Sequence, residues 1–356
     1  MAKKASILLN LLNLSPNKIQ AIMGSFNDID SILNAKYSDL RQVLLLTDRD
    51  IKEILDLRNS GVLDKELKLI EKEKIDCLDL FDQDYPPLLK EISSPPLVLY
   101  INGNRNILNK FLLAIVGTRI PTIYGLSTAE DLAYRLSLLG IVIVSGLARG
   151  IDTAAHRGAI KKGVSIAVLG SGLLNVYPKD NKTLSCNIAK SGAVISEFPL
   201  FMPPLKENFP RRNRIVSGLS KGVLIVEAAL RSGALITARL SCEQNRDVFA
   251  IPGNIDSPLS RGTHKLIKEG AILVDSLEDI LKEFNIDFEF PGETPDFKLN
   301  SYEEKIFQAI DTRQGVFLEE ILVKSDLGVA LLNKTILDLQ LKGIIKEVRP
   351  SCFVRT

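Results

Sequence analysis

The chain has 356 residues and a mass of 39.3 kDa, and 46% of its residues are hydrophobic, so the sequence predicts two or three domains with a large core. No apolar run approaches the roughly 18 residues of a membrane span, and four scattered cysteines without a CxxC pair predict a cytoplasmic protein without disulfides or a metal centre. The net charge of +2 is uneven, because residues 111–285 hold 21 basic and 15 acidic side chains whereas residues 1–110 hold 15 and 16.

Residues 1–80 are predicted to form a helical domain of the helix-hairpin-helix or SAM-like kind. Apolar residues such as Leu8 and Leu12 recur at helical spacing, and a Ser-Pro pair at 15–16 is typical of a helix start. The first apolar stretch follows two lysines, as in a signal peptide, but Asn10 interrupts it and no small-residue cleavage site follows. We therefore expect a first helix there, and a helical cap without a ligand remains an open interpretation of the whole domain.

Residues 81–110 are predicted to form an irregular connector, because its paired prolines deny helical geometry to the residues before them. The connector ends in one short strand, LVLYING (97–103). Residues 111–285 then alternate apolar strands with helices, which predicts an α/β fold with a Rossmann-like, doubly wound and mostly parallel sheet. The predicted strands are 112–116, 141–145, 164–169, 193–196, 222–226, 247–251 and 271–274.

Glycine and arginine follow most of these strands, where parallel sheets bind their ligands. Small residues permit a close approach of phosphate to the backbone, and arginines supply charge, so together with the local positive excess they predict a polyanionic ligand. For Arg149 we also consider the alternative that it pairs with Asp152 and only closes its loop. The candidate site residues in these loops are Gly117, Thr118, Arg119, Gly146, Arg149, Gly150, Gly170, Gly172 and Lys179.

Nucleotide-binding motifs do not account for these loops. The first strand of the sheet ends in VGTRIP rather than GxGxxG, and the second ends in SGLARG without an acid to bind a ribose hydroxyl. The chain also has no GxxxxGK[ST] motif. The sequence therefore argues against a dinucleotide enzyme and a P-loop NTPase, and we expect no cofactor.

The densest positive segment runs from Lys206 to Lys221. Lys206 and Phe209 place an amine and an aromatic ring in one short stretch, the combination that holds the backbone and stacks a base of a single strand. Arg211 and Arg212 are expected near the open end of this segment, and both are candidate DNA contacts. The competing interpretation buries Phe209 in the core and pairs the arginines with Glu197 or Glu227.

The C-terminal region follows an acidic, proline-bearing segment, residues 286–300, which is predicted to be a linker. Residues 301–356 show three helical patterns and then an alternating hairpin, which predicts a winged-helix-like domain. This domain holds 8 basic and 8 acidic side chains, and its third helix has few lysines. That balance argues against strong duplex binding, so a role in contacting proteins is equally open.

Several long motifs resemble the DNA-processing protein A family (DprA, also called Smf). They are VGTR (116–119), SGLARGIDTAAHRGA (145–159), AVLGSGL (167–173), FPRRNRIVSGLS (209–220), SGALITA (232–238) and LIKEGA (266–271). The resemblance implies a non-enzymatic protein that binds single-stranded DNA without sequence preference and loads the RecA recombinase in natural transformation. It places Arg119, Lys179, Lys206 and Phe209 in the DNA pocket. It also implies a homodimer through the region 251–273, with Ile251, His264, Leu266 and Ile267 as candidate interface residues.

Two other functions remain open from the sequence. One is a nucleoside-monophosphate phosphoribohydrolase on a related sheet, although the stretch EAALRSGALITA lacks the paired glycines of the PGGxGT loop of such enzymes. The other is a structural homodimer that binds only proteins, which predicts no salt-sensitive affinity for DNA.

Overall fold

The computed structural model describes residues 4–12, 14–26, 28–286, 299–310 and 315–355. Within these ranges no helix is long and apolar enough to cross a membrane. Short 3-10 helices cover Ile29–Leu33, Arg105–Asn109 and Lys179–Asn181. The α-helices are α1 (Lys4–Leu11), α2 (Pro16–Ser25), α3 (Tyr37–Arg41), α4 (Asp48–Asn59), α5 (Val62–Lys72), α6 (Pro87–Lys90), α7 (Ile123–Leu138), α8 (Ile151–Ala159), α9 (Lys182–Ser191), α10 (Asn208–Leu219), α11 (Gly233–Glu243), α12 (Arg261–Lys268), α13 (Leu277–Glu283), α14 (Ser301–Ala309), α15 (Leu318–Ser325) and α16 (Val329–Leu341).

The strands form one large and one small sheet. They are β1 (Asp76–Asp79), β2 (Val98–Gly103), β3 (Leu112–Val116), β4 (Val142–Ser145), β5 (Ser165–Val168), β6 (Ala193–Ser196), β7 (Gly222–Ile225), β8 (Asp247–Ala250), β9 (Ile272–Leu273), β10 (Val316–Phe317), β11 (Ile345–Arg349) and β12 (Cys352–Arg355). The large sheet has nine strands in the order β1-β2-β6-β5-β4-β3-β7-β8-β9. The strands from β3 to β9 pair in parallel, whereas β2 pairs antiparallel with both β1 and β6. The predicted doubly wound, mostly parallel sheet is confirmed.

The central strands are buried on both faces, which is why their sequences are apolar throughout. In β3, for example, Ala114 lies between Val144 of β4 and Val223 of β7. Strand order reverses at β3, because the chain winds outward through β4 on one side and through β7 on the other. This topological switch point is where such sheets form a crevice at the carboxyl ends of their strands.

The chain divides into two compact units, Met1–Phe288 and Glu289–Thr356. The boundary that we predicted at residue 80 does not separate compact units, because helices α1 to α5 share one hydrophobic core with the large sheet. Leu8 of α1 and Tyr100 of β2 both belong to this core and are fully buried. Most of the predicted linker, residues 287–298, lies outside the described residues.

The second unit has the predicted order of three helices and a β-hairpin. Its small sheet has the order β10-β12-β11, so the two-residue strand β10 joins the hairpin from the segment before α15. The buried carboxylate of Glu303 in α14 accepts a hydrogen bond from Lys342 just after α16, at 2.6 Å. This ion pair ties the first helix of the unit to the end of the third.

Candidate nucleic-acid interface

The loops after β3, β4 and β5 meet at one edge of the large sheet, because parallel strands end on the same side. Arg119, Arg149 and Lys179 lie on these loops, and all three side chains are exposed. The start of α10 reaches the same edge, since the ring of Phe209 packs against Gly170 after β5. Lys206, three residues before Phe209, is also exposed. The structure thus brings the predicted cations and the predicted ring together.

An aromatic and cationic cluster forms the centre of this edge. The guanidinium carbon of Arg119 lies 5.6 Å from the ring centroid of Phe209, within cation–π range. The ring of Tyr177 lies 5.7 Å from the same ring, tilted by 53°. Phe209 is half-buried, whereas Tyr177 is 47% exposed. The sequence analysis predicted Lys179 as a site residue in this loop and missed Tyr177, which lies two residues earlier.

Arg149 pairs with an acid of the neighbouring loop. Its Nη2 lies 2.6 Å from Oδ2 of Asp180, and its Nε donates to the same oxygen at 3.1 Å. The alternative pairing with Asp152 is not observed, because the buried carboxylate of Asp152 accepts backbone hydrogen bonds from Gly146 and Ala148. Arg149 is therefore an exposed residue that pairs with the residue after Lys179.

At each of the predicted glycines, neighbouring protein atoms already fill the position that a Cβ atom would occupy. A phosphate therefore cannot lie at that position. The contacts are Gly117 with Ile151, Gly146 with Arg212, Gly150 with Thr118 and Arg119, Gly170 with Phe209, and Gly172 with Pro199 and Leu200. Three backbone donors are also used internally. The N–H groups of Thr118, Gly146 and Gly172 donate to Glu227, Asp152 and Met202, respectively. The amides of Thr118, Gly146 and Gly172 are therefore occupied within the protein, and phosphate binding at Gly117, Gly150 and Gly170 stays a prediction.

Arg212 does not lie at the open end of α10 as expected. It is 4% exposed, and its guanidinium donates to the carbonyl oxygens of Gly146 and Val168 at the ends of β4 and β5. Burial lowers the pKa of Arg212 to about 10, which still leaves it charged at neutral pH. Arg212 therefore braces two strand ends and the helix that carries Phe209, and its guanidinium is not available to a phosphate.

The other two arginines of α10 pair with Glu197, which is 3% exposed. Arg214 pairs with Glu197 through its Nη2 atom, as the competing interpretation of this segment expected for its arginines. Arg211 lies 3.3 Å from the same carboxylate and also covers the ring of Phe198 at 5.3 Å. Because its side chain is 36% exposed, Arg211 lies at the border between a structural ion pair and the open surface.

A protein carboxylate closes the N-terminus of α7, where a Rossmann-like sheet would seat a pyrophosphate. Glu227, which follows β7, accepts a hydrogen bond from the backbone N–H of Thr122 at 2.9 Å and a second one from the Thr122 hydroxyl. A side chain at Gly125 would collide with this carboxylate. The position that binds phosphate in nucleotide enzymes is thus occupied by the carboxylate of Glu227.

His156, beneath the loop after β4, is fully buried, and its Nδ1 lies 2.7 Å from the Ser165 hydroxyl. Burial lowers the pKa of His156 to about 3, so the ring stays neutral and fills a packing role. In the part of the chain that the structure describes, no cluster of three or more His, Cys, Asp or Glu side chains is placed to bind a metal.

The N-terminal helices support the loop that leads to Lys206. The amide of Asn10 in α1 donates to the carbonyl oxygen of Glu197 at 2.9 Å. The buried carboxylate of Glu66 in α5 accepts the backbone N–H of Leu200 at 2.8 Å. These long-range contacts connect the helical region directly to the segment before α10.

Comparison with known sequences identifies the family. The family of DNA recombination-mediator protein A matches residues 76–285. Protein Smf of Escherichia coli is 43% identical over 268 residues, which cover 74% of this chain and 71% of that protein. DNA processing protein DprA of Streptococcus pneumoniae is 44% identical over 243 residues, which cover 66% of this chain and 86% of that protein. The chain belongs to the DprA/Smf family.

Solved DprA structures share the fold. The structure of DprA from Streptococcus pneumoniae superimposes with a TM-score of 0.71 at 36% identity, covering 81% of this chain and all of that one. DNA processing protein A from Helicobacter pylori, for which a single-stranded DNA binding mode is described, gives a TM-score of 0.55 at 32% identity. It covers 61% of this chain and 98% of that one.

The residues that the DprA resemblance suggested for a homodimer interface differ in exposure. Ile251 is 3% exposed, and its N–H donates to Ile225, so it is unavailable for an intermolecular contact and that expectation is corrected. Leu266 packs partly against the core of the sheet. The Nε2 atom of His264 lies 3.1 Å from the carbonyl oxygen of Gly253, and Ile267 is half-buried. His264, Leu266 and Ile267 remain candidates for the interface.

Proposed function

We propose that this chain binds single-stranded DNA without sequence preference at the carboxyl edge of its large sheet. The observation that carries the proposal is the cluster of Arg119, Phe209 and Tyr177, with Lys179 and Lys206 exposed at the same edge. Cations hold the phosphate backbone, and aromatic rings stack on bases of any identity. Helicobacter pylori DprA, which has the same fold, is described as binding single-stranded DNA.

The geometry favours a single strand over a duplex. In a duplex both faces of every base are covered by neighbouring pairs, so an aromatic side chain on a protein surface reaches a base face only in an unpaired strand. Tyr177 is 47% exposed, and a base can stack on its ring only if that base is unpaired. The polyanionic ligand expected from the sequence is thus narrowed to a flexible strand with accessible bases.

The family supports a role in DNA processing during transformation, and we propose that the chain also loads RecA recombinase onto the bound strand. The matching family is described as a recombination mediator, which fits a protein that prepares DNA for a recombinase. We propose that the chain acts as a homodimer in the cytoplasm and catalyses no reaction. Its buried acids support the last point, because Asp152, Glu197 and Glu227 each hold backbone groups, a hydroxyl or arginines of the chain itself.

Anisotropy of a fluorescent oligo-dT tests the DNA site. Arg119→Ala and Lys179→Ala should each weaken binding about tenfold, because each removes a charged contact to phosphate. Phe209→Leu should weaken it by a comparable factor through lost stacking while keeping the apolar contact with Gly170. Lys162→Ala is the matched control, since this exposed lysine follows α8 at the opposite edge of the sheet. Equal binding by folded parent, Arg119→Ala and Phe209→Leu proteins would reject the site.

ATP hydrolysis by RecA tests the recombinase step. ATP hydrolysis by RecA is inhibited when single-strand binding protein coats the DNA, and the parent chain should relieve this inhibition. Arg119→Ala protein should relieve it less, in proportion to its weaker DNA binding. A parent chain that binds DNA tightly without any effect on RecA would overturn the loading role and leave the DNA site intact.

A further inference from the structure

The ion pair between Arg149 and Asp180 connects two loops of the proposed DNA site. Both side chains are 67% exposed, so the pair lies at the protein surface. Asp180 directly follows Lys179, and it places a negative charge among the cations of this edge. Both guanidinium contacts of Arg149 go to a single carboxylate oxygen, Oδ2.

We propose that Asp180 is an exchangeable occupant of a phosphate-binding position on Arg149. The carboxylate binds the guanidinium when DNA is absent, and a phosphate of the strand replaces it when DNA binds. Asp180 thereby lowers the affinity of the site and sets its dependence on salt. This inference rests on the proposed single-strand binding and assigns a specific role to one acid within that site.

The chemistry favours exchange. A guanidinium presents a planar fork that donates hydrogen bonds to two oxygens of one anion, and a phosphodiester has two such oxygens. The present pair uses one carboxylate oxygen for both contacts, so a phosphate gains the second contact. An exposed ion pair also changes an equilibrium constant only a few-fold, so its opening is a small cost of binding.

The loops do not depend on this pair for their arrangement. The side-chain amide of Asn181, next to Asp180, donates to the carbonyl oxygen of Leu147 at 2.9 Å and to the hydroxyl of Thr153 at 2.8 Å. Asn181 is 5% exposed, so these bonds form a buried tie between the same two loops. Removing the charge of Asp180 should therefore free Arg149 without displacing Lys179.

A double-mutant cycle with the full chain and labelled oligo-dT tests the exchange. Asp180→Asn should tighten binding about three- to fivefold and steepen the slope of log K against log salt by up to about 0.7. In an Arg149→Ala background the same substitution should have no such effect. Glu207→Gln is the matched control, because this exposed acid lies beside Lys206, and any gain from removing its charge should persist in the Arg149→Ala background.

The outcomes separate this inference from the proposed function. If the parent chain binds oligo-dT and Asp180→Asn has no effect, or has an equal effect with and without Arg149, exchange is overturned while single-strand binding stands. If the parent chain does not bind, both fail. The thermal midpoints of all variants should match the parent, since the exposed pair contributes little to stability.

Discussion

At the scale of residues, two neighbouring arginines of α10 show what a count of charges in the sequence can predict and what it cannot. Arg211 is partly exposed, whereas Arg212 is buried beneath two strand ends. The positive density of this segment indicates a surface for anions, but it does not say which arginine faces outward. The helical pattern does, because apolar Ile215, Val216 and Leu219 lie three, four and seven residues after Arg212, and of these only Ile215 lies three or four residues after Arg211. That inward stripe was the signal that sequence reasoning missed.

Substitution of these two arginines should separate their roles. Arg212→Ala leaves two strand-end carbonyls and buried Asp152 without their cation, so it should lower the free energy of unfolding by about 3 kcal/mol. Arg211→Ala should cost less than about 1 kcal/mol, because Arg214 still neutralises Glu197. Urea denaturation followed by circular dichroism measures both. Losses of equal size would contradict the buried role of Arg212.

Gly150 offers a second prediction at this scale. Its φ is +79°, and a side chain there would collide with the backbone of Thr118 and Arg119. Gly150→Ala should therefore displace Arg119 and weaken oligo-dT binding roughly tenfold, the effect of one lost charged contact. Gly140→Ala is the control, because φ is +77° there and nothing lies within 4 Å of the added methyl group. It should leave binding unchanged, and equal binding losses in the two variants would contradict a displacement of Arg119.

At the scale of elements, the sequence predicts the strands whose residues carry a local pattern, and it does not predict contacts between residues far apart in the chain. Strands β3 and β6 lie at the predicted residues, because strands covered on both faces carry continuous apolar runs. Strand β1 was not predicted, since its sequence DCLD has no such run and its pairing with β2 fixes it. The support of the 197–200 loop by α1 and α5 was equally invisible. It depends on Asn10 and Glu66 meeting residues far along the chain, which leaves no local pattern.

The contact between α5 and this loop predicts a pH dependence. Burial raises the pKa of Glu66 above its ordinary 4.5, so the folded state favours the protonated acid. The stabilisation of the parent by this group is complete below pH 4.5 and is lost as pH rises through the raised pKa. Glu66→Gln should therefore become progressively more stable relative to the parent above that pH.

Urea denaturation across this pH range measures the difference. The amide oxygen of the glutamine still accepts the N–H of Leu200, so the loop contact is preserved. Glu71→Gln, an exposed acid of the same helix, is the control for removal of a charge. A difference between Glu66→Gln and parent that shrinks as pH rises would contradict the buried-carboxylate account.

For the whole molecule, the uneven charge and the topology both support the proposed position of the DNA site. The positive excess of residues 111–285 could be counted from the sequence, and the doubly wound sheet brings the loops that carry Arg119, Arg149 and Lys179 to one edge. In the C-terminal unit, exposed positions of α16 carry Val329, Leu331 and Leu337 beside Lys334. These exposed apolar residues are unlike the basic surface of a duplex-reading helix. We therefore propose that the affinity for DNA resides in the unit Met1–Phe288.

The most direct test of the central claim is a competition measurement with the full-length chain. Anisotropy of a labelled oligo-dT is recorded at two salt concentrations, with unlabelled single strand or duplex as competitor. The account predicts binding that weakens with added salt, is displaced by single strands of any sequence, and resists duplex of equal length. Absence of binding at low salt, or displacement by duplex as readily as by single strand, would contradict it.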